Sequence, residues 1–518
     1  MSAATKTDTP TESPPTEKPP AARKPGRVSR FVRRLGNLSL PARAAVVTAI
    51  LLLLLILMVL CLYLLNPDHV PWRHSLSLGR IVAVLLLAIA IPWVVYNGLR
   101  LWLEGDHSQF PEIDFAWRAG LDALEQGGLS IETIPVFLVL GSSGERFERS
   151  LLAAARGDFR VRGVPEGPAP VHWYANPDWI VLVCSEVGWL SAFAALVAQK
   201  RARAMAEESI ADAAPSPSRP DPSSAEPKQT RDSAKSYASS SLPEAKPSVL
   251  TRSESAEQLE RLRYVCRLIR GARRPLCGIN GLLTLLPFDS FVPARRDNDS
   301  APWREGEECQ NALRADLATV QEELRLQCNV MTLIVGMEQV RGFRELVRRV
   351  GRERTETQRL GRDFDLRALP SRDAFTAKYT RGYSTLEDWI YTLFRDQGVL
   401  SRPGNRQLYS LLCNFRSNFK SRLAALLAGG YGYDPQQPSD EPILYGGCYF
   451  AATGDTEDRQ AFVRGVFDRL GEQQDEVQWT QAALSEERRD RRLAVLGFGV
   501  CALLLAILGA MILQPALG

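Results

Sequence analysis

The chain has 518 residues, with 63 Lys and Arg against 59 Asp and Glu, a formal charge of +4 and 45% hydrophobic residues. So small an imbalance says little about partners, and the length supports more than one folded unit with a sizeable core. Nine scattered cysteines without a C-x-x-C, and only four histidines, argue against a zinc site and read as reduced, mostly buried thiols.

Residues 1–40 form a basic tail expected to be disordered, its first part being Thr, Pro, Glu, Ala and Lys with little apolar surface. Three later stretches have the length and apolarity of bilayer-spanning helices. They are AAVVTAILLLLLILMVLCLYLL at 44–65, IVAVLLLAIAIPWVVYNGL at 81–99 and LAVLGFGVCALLLAILGAMIL at 493–513. The first two are expected to make a transmembrane hairpin over 44–99. Arginines and lysines precede the first span, Arg100 follows the second, and ERRDRR at 487–492 precedes the third. By the excess of basic residues on the cytoplasmic side, the bulk of the chain is expected in the cytoplasm and Gly518 across the membrane.

Between the second and third spans, apolar runs alternate with helical patterns. IPVFLVL ends at Leu140, DWIVLVC covers 178–184, GLLTLLP covers 281–287 and NVMTLIVGMEQ covers 329–339. Helical stretches lie between them, including SAFAALVAQKRARAMAEESI and CQNALRADLATVQEELRLQC. This order predicts an α/β domain over 101–350 with a mostly parallel sheet. A Ser-, Pro- and Ala-rich segment at 211–250 interrupts it and reads as a disordered linker. Residues 351–492 read as a mainly helical domain. The basic run RLIRGARR at 267–274 has no interleaved aromatics, so it reads as a helix end facing solvent or acidic lipid, and no nucleic-acid partner is expected.

The stretch VFLVLGSSGERFE at 136–148 has the outline of a phosphate-binding loop, an apolar strand leading through two glycines into a helix. In a working loop, G-x-x-x-x-G-K-[ST], backbone amides cradle the phosphates, a lysine reaches them and a hydroxyl holds magnesium. Gly141 and Gly144 can keep the bend. Phe147 stands at the lysine place and Glu148 at the hydroxyl place, exchanging an attraction for a neutral ring and a repulsion. No acid ends IVLVC, where Cys184 and Ser185 stand. Gly141, Gly144, Phe147 and Glu148 are therefore remnant positions, with no catalytic residue, metal or cofactor expected.

RRPLCGINGLLTLLP at 273–287, NVMTLIVGMEQVRGFREL at 329–346, LYGGCYFAATG at 444–454 and RQAFVRGVFDRL at 459–470 follow one another in an order and spacing that resemble the IcmF/TssM-type inner-membrane protein of the type VI secretion system. The resemblance covers about 40–513, apart from the linker. It implies a GTPase-like fold for the cytoplasmic part. The family's G-P-P-G-S-G-K-[ST] falls on Gly141 to Glu148, its D-T-A-G on Cys184, Ser185, Glu186 and Val187, and its T-K-x-D on Val335, Gly336, Met337 and Glu338. All three elements have lost their nucleotide-handling residues. The implied protein is a polytopic α/β protein of the bacterial inner membrane with a degenerate P-loop. It is a non-catalytic anchor and scaffold whose partners are the membrane-complex and baseplate proteins of a type VI-like apparatus, the lipid bilayer, and further copies within an oligomeric complex. The alternative is a membrane-bound nucleotide-responsive switch. The family's large periplasmic region does not follow the third span here, so a separate polypeptide or a shortened relative is expected.

Overall fold

The computed structural model describes residues 40–65, 88–98, 109–213, 250–291, 303–382, 385–395, 398–434, 441–489, 491–492 and 495. They fall into two compact units, one of Phe110–Ala494 and one drawn from Met1–Gln109 and Val495–Gly518. The expected tail over 1–40 and linker over 211–250 lie, apart from their edges, outside the described residues.

The expectation of three membrane-spanning helices is corrected. Among the described residues, no helix is long and apolar enough to cross a membrane. Leu40–Leu65 is helical and strongly apolar. Of the span expected at 81–99, the described part is a helix over 88–98; the span expected at 493–513 lies, save Val495, outside the described residues. The polytopic fold class, the multi-pass inner-membrane location with its periplasmic C-terminus, and the anchoring role are withdrawn on this finding. In their place stands a mostly helical chain with a large mixed sheet.

Phe110–Ala494 begins with α1 (Pro111–Gln126), β1 (Val136–Leu140), α2 (Glu145–Ala155), β2 (Val161–Val164), β3 (Val171–Ala175), β4 (Ile180–Cys184) and α3 (Trp189–Ala213). It continues through α4 (Arg252–Arg273), β5 (Gly281–Pro287), α5 (Arg304–Leu324), β6 (Leu326–Val335), α6 (Arg341–Val350), α7 (Arg352–Thr357) and β7 (Leu360–Asp363). Helices α8 (Arg372–Gly382), α9 (Thr385–Arg395), α10 (Asn405–Asn414) and α11 (Lys420–Gly430) follow. The unit closes with β8 (Leu444–Phe450), β9 (Ala452–Thr453), β10 (Gln460–Ala461), α12 (Arg464–Glu472) and β11 (Val477–Trp479).

The nine-stranded sheet runs β2-β3-β4-β1-β5-β6-β8-β7, with β11 also on β6. Its centre is parallel: β1 pairs with β4 and β5, β5 with β6, and β6 with β8. Strands buried on both faces read as unbroken apolar runs, which is why VFLVL and IVLVC stand out in the sequence. Alternate residues serve opposite layers. Val136, Leu138 and Leu140 face the core that α1, α4 and α5 cover, while Phe137 and Val139 face a second core under α2 and α12. Strands on both sides of residue 350 share this sheet, since β7 and β8 extend it from β6.

Close approaches fix the layers. A Cβ on Gly120 of α1 would meet the indole of Trp173 at 2.2 Å, so only glycine lets that ring lie against the helix. Arg273, at the end of α4, is 3% exposed. Its Nη1 donates to Ile131 O at 2.5 Å and Ile134 O at 2.6 Å, and its Nε donates to Cys277 O at 2.8 Å. This arginine, part of the run read as a solvent- or lipid-facing helix end, instead ties the approach to β1 to the approach to β5.

Candidate functional site

Strand β1 is held in the sheet on both sides, and the chain leaves its end at Gly141 to enter α2 four residues later. Gly141 has φ +89° and Gly144 φ +128°, both in the region that favours glycine. At Gly141 space forbids a side chain as well, since a Cβ would meet Leu285 O at 2.3 Å. Gly141 N donates to Ser191 Oγ at 3.0 Å, and that hydroxyl donates to Cys184 O at 2.8 Å, joining the loop to the end of β4. Gly141→Val is therefore expected to cost more than about 3 kcal/mol, combining strain with a backbone clash. Loss of the soluble, protease-resistant fraction on expression is the measurement that checks it, with Gly144→Ala less damaging because it carries backbone strain of about 1–3 kcal/mol without a clash.

The loop is filled from within. Glu148, at the hydroxyl place of the pattern, is fully buried and turned into the loop. Its Oε1 accepts from Ser142 Oγ at 2.7 Å and from Ser185 Oγ. Ser142 Oγ in turn accepts from Gly144 N at 3.2 Å, so the loop is tied to this carboxylate through a serine. Glu148 Oε2 lies 2.7 Å from His172 Nδ1, which also stands 3.3 Å from Ser185 Oγ. His172 Nε2 is 2.8 Å from Gly167 O. Both ring nitrogens therefore face acceptors that cannot donate while Glu148 is ionised, and an imidazole satisfies both only when doubly protonated. Burial works against that charge, but the hydrogen bond and charge of Glu148 outweigh it and hold the His172 pKa above its ordinary value.

The other remnant positions have structural duties. Phe147 packs partly buried against the core under α2. Cys184 is buried, and burial pushes its thiol pKa well up, which leaves it without nucleophilic character. Glu186 uses its carbonyl, not its carboxylate, to accept from Arg261 Nε at 3.1 Å. Glu338 Oε2 accepts from Thr453 N at 3.0 Å. The structure thus brings Gly141, Gly144 and Glu148 together with Ser185, and places Glu338 across a neighbouring cleft. His172 is the residue that sequence reasoning missed, because β3 is buried on both faces and shows no alternation to mark it.

Nothing in this cluster supplies a nucleophile beside a free base. Glu148 is committed to two serines and a histidine, and His172 to Glu148 and a carbonyl. Among the described residues, no group of three or more His, Cys, Asp and Glu is arranged to hold a metal ion.

Residues 255–497 match the family model of the IcmF-related N-terminal domain. No curated protein and no solved structure matches the chain. The matched segment takes in most of α4 and everything from β5 to β11, including Glu338 and Thr453. It leaves out β1, the loop, Glu148 and His172, so the loop belongs to the part of the sheet that precedes the match.

Proposed function

We propose that the chain is a non-catalytic scaffold component of a type VI-like protein secretion apparatus. The match of residues 255–497 to the IcmF-related N-terminal domain carries this reading. The absence of catalysis is supported by the loop, where a buried carboxylate of the chain itself lies among the groups that in a working loop would meet phosphate. A triphosphate would have to displace Glu148 from three partners and then lie against its charge. The partners in this role are other membrane-complex and baseplate proteins of the apparatus, within an oligomeric assembly.

Co-purification tests the proposal. The tagged full-length chain, recovered from cells in which the apparatus is assembled, is expected to bring down its membrane-complex or baseplate components. Recovery of none of them, alongside a positive control with a known component, counts against the scaffold.

A further inference from the structure

We infer that the cleft beside the loop is a binding site for a small multivalent anion bearing phosphate or carboxylate groups, held by Arg344 and Arg459. The cleft encloses about 710 Å³. One wall is the outward side of the loop, Ser143 to Phe147, and the other carries Glu338, Arg344, Thr453 and Arg459.

Its charges are unequally committed. Arg146 pairs with Asp455 at 2.5 Å, Glu145 is bound by Arg149 and by Gly167 N, and Glu338 accepts from Thr453 N. Arg344 and Arg459 also line the cleft, and among the described residues neither guanidinium has an ion-pair partner. The three carboxylates of the lining, Glu145, Glu338 and Asp455, are each engaged, which leaves the two uncommitted forks to attract negative charge.

A second observation comes from Thr453. It is 4% exposed and lines the cleft, yet its Oγ1 has no hydrogen-bond partner. The backbone around it is fully used: its N–H goes to Glu338, and its carbonyl accepts from Ser150 Oγ at 2.7 Å. A buried hydroxyl left without a partner in a cavity wall is a donor with no acceptor, and an anion oxygen supplies one. The anion is held on the wall opposite the loop, clear of Glu148, and needs neither the loop amides nor magnesium. This assignment stands on the cleft alone, so failure of the co-purification above leaves it intact.

Isothermal titration of the full-length chain with inorganic pyrophosphate and, separately, with citrate tests it, each with and without magnesium. At least one anion is expected to bind saturably below about 1 mM, without magnesium and with affinity falling as sodium chloride rises. Binding of pyrophosphate alone assigns a phosphate ligand, of citrate alone a polycarboxylate, and of both the shared chemistry. The pair Arg344→Gln and Arg459→Gln should weaken binding at least about tenfold, and Thr453→Val several-fold. Both arginines are exposed, so circular dichroism of the double variant should match the parent. Absence of saturable binding by either anion overturns the proposal. So does binding that is indifferent to salt, or that survives in a folded double variant.

Discussion

Alanine at Glu148 is expected to lower the unfolding free energy by about 3–5 kcal/mol, the range for removing one partner of a buried ion pair. The substitution strands His172, which is 1% exposed, and leaves Ser142 and Ser185 without their common acceptor. A double-mutant cycle with His172→Gln should show strong coupling, because each residue's cost arises largely from the other being left buried. The pH dependence carries a definite sign. His172 has a folded pKa raised above its ordinary 6.5, with burial opposing and Glu148 and Glu145 favouring the charged form. Its contribution is therefore fully present below the unfolded value and is lost as pH rises through the higher folded value. The stability gap between the parent and His172→Gln should reach its full size below about pH 6 and close under alkaline conditions. Denaturant midpoints measured in parallel for the two proteins cancel the titration of other groups. A gap that widens with pH contradicts the charged imidazole.

Arg273→Ala is expected to be comparably damaging, at about 3 kcal/mol or more. Its guanidinium satisfies the carbonyls of Ile131, Ile134 and Cys277, and its Nη2 reaches Asn280 Oδ1 at 3.3 Å. None of these acceptors is a carboxylate, and burial lowers its pKa, yet a guanidinium stays charged in proteins. Lysine keeps the charge but not the planar fork, so Arg273→Lys should recover only part of the loss. Thermal unfolding of the three proteins ranks them. Equal stability of parent and alanine variant rules out the strut.

What the sequence disclosed depended on how local the signal was. β1, β4, β5 and β6 were legible because central strands must be apolar on both faces. β8 was not, because glycines interrupt LYGGCYF, and the structure uses Gly447 at φ +153° where the register on β6 shifts. The bend at Gly141 and the loss of the lysine could be read from spacing alone. That Glu148 turns inward could not, since its partners His172 and Ser185 come from β3 and the end of β4, 24 and 37 residues away in the chain. Arg273 misled for a related reason: a basic run looks solvated until three carbonyls converge on one member. The apolar stretches gave the strongest sequence expectation of all, and composition carried it further than the described residues support.

The position of β1 has a consequence for dissecting this protein. It lies between β4 and β5, hydrogen-bonded to both, yet it precedes the segment that matches the IcmF-related domain. A fragment cut at residue 255 would keep β5 but strip away β1, whose Phe137 to Leu140 pair with Gly281 to Thr284, baring a row of unpaired amides and carbonyls along an apolar strand. Such raw margins recruit other chains. The boundaries of the matched segment do not coincide with a self-sufficient folding unit, and fragments for partner studies should begin before α1.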